Sequence, residues 1–128
     1  MPVSYVLVER GNPSNRTAPK KFYAQLKSAG EVTLRQLMKE ISARSTVSPA
    51  DTMSVLESLL EIVPEKLGQG QIVRLGDMGS FSASVTSEGV DKADKFVAAS
   101  MITGYKIRFR PGKEMTKAVS ALDFRKAE

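Results

Sequence analysis

The spacing of apolar and polar positions changes several times along the chain, and each change marks an element. Val3-Ser4-Tyr5-Val6-Leu7-Val8 is β-branched and aromatic, and the turn formers Gly11-Asn12-Pro13-Ser14-Asn15 end it. In the next segment Phe22, Ala24 and Leu26 alternate with Tyr23 and Gln25, which predicts a second strand returning beside the first. From Thr33 the period becomes helical. Thr33 and Gln36 have capping-box spacing, and Leu34, Leu37, Met38 and Ile41 form one apolar stripe. Ser48-Pro49-Ala50-Asp51 is a helix start, and the stripe Met53, Leu56, Leu59, Leu60, Val63, Leu67 follows it. Pro64 sits inside that stripe and is expected to kink the helix or end its regular part near Val63, before Gly68-Gln69-Gly70 stops it.

The second half reads as strands. Ile72-Val73-Arg74-Leu75 leads into the turn Gly76-Asp77-Met78-Gly79, and Phe81-Ser82-Ala83-Ser84-Val85 alternates as a strand with one wet face. Ser87 to Ser100 has no period and is expected to be a long exposed excursion. The chain resumes with Tyr105-Lys106-Ile107-Arg108-Phe109-Arg110, in which the apolar side chains face one way and the cations the other. Pro111-Gly112 then opens a short helix whose buried side is expected to be Met115, Val119 and Leu122. Helices, sheet, excursion and final helix make an α+β plan.

Composition narrows what such a domain does. At 128 residues and 41% apolar content the chain has the size of one domain with a real core. It has no cysteine and no histidine, which removes disulfides, Cys- or His-containing zinc sites and every Ser-His or Cys-His nucleophile. A Ser-Lys pair is compositionally allowed, but no nucleophile elbow or phosphate-loop spacing accompanies it. The expectation is a non-enzyme with no metal, cofactor or small-molecule substrate. The apolar runs are too short to span a bilayer and the start lacks a basic signal-like region, so no membrane partner and a soluble, cytoplasmic protein are expected.

The net charge of +5 is unevenly placed. Residues 1–50 carry 8 basic and 3 acidic side chains, residues 51–85 carry 2 and 5, and residues 86–128 carry 9 and 6. Lys106, Arg108, Arg110, Lys113 and Lys117 put five cations in twelve residues. Alternate strand residues are about 6.7 Å apart, close to two axial phosphate rises of about 3.4 Å, so this face can follow a nucleic-acid backbone. It also fits a solvated strand face, and the spacing alone leaves both open. Like charges on one face repel, which an anionic partner would relieve.

Two of these segments carry a resemblance. Ile72-Val73-Arg74-Leu75-Gly76-Asp77-Met78-Gly79-Ser80-Phe81 is followed about thirty residues later by Phe109-Arg110-Pro111-Gly112-Lys113-Glu114-Met115-Thr116-Lys117. The pair resembles the turn after the second helix and the start of the last helix in the bacterial histone-like HU and integration host factor DNA-binding family. The likeness runs from about Thr33 to Val119, and the first thirty residues look like the extension of a larger HU-related subgroup. It implies an intertwined homodimer whose excursions become two β-ribbon arms embracing double-stranded DNA in the nucleoid. It also implies a 1–30 β extension on a 31–128 HU-like domain, with the arm at about 86–104.

Position by position, Phe81 and Phe109 match family core aromatics and Gly79 matches the turn glycine. Arg110, Lys113 and Lys117 match basic positions, Lys106 and Arg108 lie on the strand returning from the arm, and Lys92 and Lys95 are the cations of the arm itself. The chain departs from the family at the arm tip. The usual Arg-Asn-Pro is absent between Ser82 and Gly104, and Asp91 and Asp94 offset Lys92 and Lys95. Phe96 and Met101 are the candidate apolar wedges, and weaker bending or affinity is expected. Asp77 and Met78 also replace the glycine and phenylalanine of the turn. The competing function is an HU-like scaffold used for protein or polysaccharide interaction, and phosphate contacts alone leave RNA open.

Overall fold

The computed structural model describes residues 2–128. Strand β1 (Val3–Arg10) pairs antiparallel with β2 (Lys21–Leu26), as the alternation requires. Between them Asn12 and Asn15 accept hydrogen bonds from the Ser14 and Thr17 amides at 2.9 and 3.2 Å, the Asx geometry that makes these residues turn formers.

Helix α1 (Leu34–Arg44) begins at the capping box: the Gln36 amide donates to Thr33 Oγ1 at 3.2 Å and the Thr33 amide donates to Gln36 Oε1 at 2.8 Å. Helix α2 (Pro49–Gly68) begins at Ser48, whose Oγ accepts the Asp51 amide at 3.1 Å. Met38 of α1, 7% exposed, and Thr52 of α2, 3% exposed, mark where the two helices meet. The Thr52 hydroxyl is accommodated there because it donates to the Ser48 carbonyl at 2.8 Å.

The end expected near Val63 does not occur, and α2 runs through Pro64 to Gly68. A proline removes one amide and leaves the carbonyl four residues back, here that of Leu60, without its helical partner. Leu60 is exposed, so water can supply that bond and the helix continues.

Strand β3 (Val73–Arg74) is shorter than the four-residue strand expected. A single 3-10 turn at Gly76–Met78 joins it to β4 (Gly79–Ser87), which pairs with β5 (Ile102–Pro111). The sheet order is β3-β4-β5, antiparallel throughout. The excursion expected at Ser87 to Ser100 is found within one residue of those bounds, because β4 and β5 pair out to Ser87 and Ile102 with a bulge at Thr86/Ser87. Residues 88–101 form a compact tip containing a 3-10 turn at Ala93–Lys95 and the short helix α3 (Ala98–Met101), closed by the Glu88 amide donating to the Met101 carbonyl at 2.9 Å. The ribbon is therefore the β4–β5 pair itself.

Helix α4 (Lys113–Ser120) follows, but Leu122 lies beyond it, and Met115 and Val119 are 40% and 65% exposed rather than buried. Strand β6 (Phe124–Lys126) then pairs parallel with β1, giving a second sheet of order β2-β1-β6 that joins the two ends of the chain. Its three residues are too few to show a period in the sequence.

The single chain leaves much apolar surface open. Its accessible surface is 11156 Å², whereas a compact monomer of 13.9 kDa has about 6,700 Å². Leucines and valines of the predicted stripes, among them Val55, Leu59 and Leu60, stay exposed. Among the described residues no helix is long and apolar enough to cross a membrane.

Candidate nucleic-acid interface

The β3-β4-β5 sheet sorts its side chains by register. Phe81 pairs with Val73 on one side and Phe109 on the other, Ala83 pairs with Ile107, and Val85 with Tyr105, so one face is apolar. The Phe81 and Phe109 rings meet with centroids 4.9 Å apart and planes tilted 47°, a favourable aromatic geometry. These are the two aromatics that the paired motifs place about thirty residues apart.

The opposite face carries the cations. Arg110, Arg108 and Lys106 stand opposite Ser80, Ser82 and Ser84, so three exposed cations lie beside a ladder of three hydroxyls. Arg74 of β3 pairs with Ser80 from the other side, making a row Arg74–Ser80–Arg110 across three strands. Arg74 is absent from the sequence-derived set. Its position between Val73 and Leu75 hints at a polar-facing strand residue, but only the pairing to Ser80 brings it to Arg110.

Two adjoining concavities continue this face. One, of about 280 Å³, is lined by Arg74, Ser80 and Arg110 over the backbone of Gly76, Gly79 and Gly112. The other, of about 500 Å³, is lined by Lys113, Thr116, Lys117 and Ser120. They share Pro111 and Gly112 as a common edge, so Arg110, Lys113 and Lys117 lie along one path of cations and hydroxyls.

Close backbone contacts hold this edge in place. The Gly112 amide donates to the Met78 carbonyl at 3.0 Å, and the Leu75 amide to that of Gly79 at 2.8 Å. A Cβ at Gly112 would overlap the Asp77 carbonyl, so the glycine lets the last helix start against the turn. The two sequence motifs are thus one spatial unit. Met78, which departs from the family pattern, is a backbone hydrogen-bond partner in that turn, and Asp77, the other departure, presents its carbonyl to Gly112.

Lys92 and Lys95 are not part of this path. They lie in the tip with Asp91 and Asp94, beyond Ser87 at the far end of a strand that runs about 24 Å from Ser80 at about 3.4 Å per residue. The candidate wedges divide: Phe96 is 38% exposed, whereas Met101 is partly buried and its sulfur accepts the Val97 amide at 3.3 Å.

A crystal structure of a candidate bacterial DNA-binding protein from Bacteroides vulgatus ATCC 8482 has the same fold, with a TM-score of 0.62 at 19% identity over 98% of this chain. The match takes in 49% of that protein, so this chain spans about half the length of its structural neighbour. No curated protein matches the sequence. The family model describing an HU domain fused to a winged helix-turn-helix, immunoglobulin or glycine-rich motif matches residues 1–126, first strand and last strand included, and the chain belongs to that HU-HIG family.

Proposed function

We propose that the protein is a non-enzymatic architectural DNA-binding protein that grips duplex DNA as a homodimer, mainly through the phosphate backbone. The observation that carries this reading is the register of β4 and β5, which sets Lys106, Arg108 and Arg110 on one exposed face beside three serines. Cations and hydroxyls are the donors that phosphate oxygens accept from, and their spacing of about 6.7 Å follows the backbone. The face has no Asn or Gln suited to base edges, so binding depends little on sequence. Family membership and the structural neighbour support the same reading.

The dimer is supported by the exposed surface. An excess of about 4,500 Å² over a compact monomer is far more than the roughly 800 Å² per partner of a standard interface, so intertwined pairing is the natural cover. The ribbons formed by β4 and β5 act as short arms. Their helical tips lack a proline wedge and carry balanced charge, so the duplex is bent less than a wedge would bend it. Residues 1–30 are an extension of the HU-like unit, fastened to it through β6. A protein of this kind works in the cytoplasm at the nucleoid.

The test is fluorescence anisotropy with labelled mixed-sequence duplexes and the Arg108→Glu/Arg110→Glu variant. Four lost phosphate contacts per dimer flatten the slope of log K against log salt by about 3 to 4. An unchanged slope would remove the assignment, and equal binding of the variant to a native protein or polysaccharide partner would favour the scaffold function.

A further inference from the structure

The β2-β1-β6 sheet has two unlike faces. Register places Tyr5, Leu7, Phe22, Ala24, Leu26 and Phe124 on one, with Glu9 and Lys126. The other carries Ser4, Val6, Val8 and Arg10 of β1, Lys21, Tyr23 and Gln25 of β2, and Arg125 of β6. Lys27 joins this second face, because its amide continues the ladder by donating to the Ser4 carbonyl at 2.8 Å. At its strand-register positions the second face therefore holds four cations and no carboxylate, the nearest acid being Glu128 beyond the end of β6.

The placement sets like charges against each other. Arg10 and Lys21 are direct cross-strand partners, an arrangement that destabilises a sheet unless an anion lies between them. At the other end Ser4, Lys27, Arg125 and Lys126 line a concavity of about 430 Å³ in which Glu128 supplies the acidic side chain. The two cationic ends are six residues apart along β1, about 20 Å, or some six nucleotide rises of about 3.4 Å. Tyr23, 48% exposed, stands between them. The sheet also begins where the Lys113–Lys117 path ends: the Val3 amide donates to the Asp123 carbonyl at 2.7 Å, three residues after Ser120.

We propose that this cationic face, through Arg10, Lys21, Lys27 and Arg125, is a second phosphate-binding surface that lengthens the stretch of duplex the protein holds. The proposal rests on the DNA-binding reading above and adds a separate site to it. The apolar face of the same sheet is turned away from the nucleic acid, and the charge carried by the extension is used for the flank of the duplex.

Two duplex lengths separate this site from the β4–β5 face. Salt-dependent anisotropy is measured with labelled duplexes of about 12 and about 40 base pairs, spanning about 40 and 135 Å at 3.4 Å per pair. The Lys21→Gln/Lys27→Gln/Arg125→Gln variant removes three contacts per protomer. Its slope on the long duplex becomes less steep by about 5, while on the short duplex it equals that of the unmodified protein. Retention of the full slope on the long duplex overturns the proposal and leaves the primary face intact. Failure of the unmodified protein to bind either duplex overturns the primary reading instead. Short-duplex binding reports that the variant is folded; if it is lost, Lys21→Gln/Arg125→Gln is used, with an expected change of about 3 to 4 and the same overturning result.

Discussion

Replacing Gly79 with alanine strikes the junction of the fold and the cationic face. Gly79 has φ +145° and ψ −169°, a region that is essentially restricted to glycine, so any side chain there costs about 1–3 kcal/mol in the backbone. The added Cβ would also lie 2.5 Å from the Arg110 carbonyl oxygen and 2.7 and 2.8 Å from two ring carbons of Phe109. Relieving that contact requires the strand pair to part or the ring to move, a further cost of about 1–3 kcal/mol. A total near 4 kcal/mol is a large share of the roughly 5–15 kcal/mol that holds a domain folded. Gly76 separates the two effects, since its φ is +59° but nothing lies within 4 Å of its Cβ position. Gly76→Ala therefore carries only the backbone cost of about 1 kcal/mol. In thermal melts followed by circular dichroism, Gly79→Ala is expected to melt about 15 °C lower and Gly76→Ala about 4 °C lower. Equal melting of the two variants would refute the assignment of Gly79 to close packing under Arg110 and Phe109.

Three further outcomes follow from the helices and the open surface. Ser48→Ala removes the acceptor for the Asp51 amide and lowers stability by about 1 kcal/mol in urea unfolding, and Ser48→Asp restores it. Pro64→Ala returns an amide to the C-terminal part of α2 and raises the urea midpoint, with a gain of about 1–3 kcal/mol; a drop would mean that the proline fits a bend the fold requires. If the proposed second copy covers the exposed apolar surface, the melting temperature rises with protein concentration, and a value independent of concentration over a hundredfold range would speak against the dimer.

Local periods made much of this molecule legible before its structure. The alternation of Tyr105, Ile107 and Phe109 with Lys106, Arg108 and Arg110 fixed the two faces of β5, and Ser48-Pro49 and Thr33 located both helix starts, because each signal involves neighbours within one or two turns. What escaped depends on pairing between distant segments. Arg74 and the serines of β4 become part of the cationic face only through the β3-β4-β5 register, and Phe124–Lys126 becomes a strand only because β1 offers an edge. Pro64 does not end the helix, because a helix anchored on both sides of a missing bond outlasts a local breaker.

The central claim is that a dimer lays a cationic strand face along a polyanion, and the salt dependence of duplex binding tests it most directly. With mixed-sequence DNA of about 40 base pairs and salt between about 50 and 200 mM, neutralisation of at least six phosphates gives a slope of log K against log salt of about −5 or steeper, a thousandfold loss of affinity. A slope near zero would contradict the account.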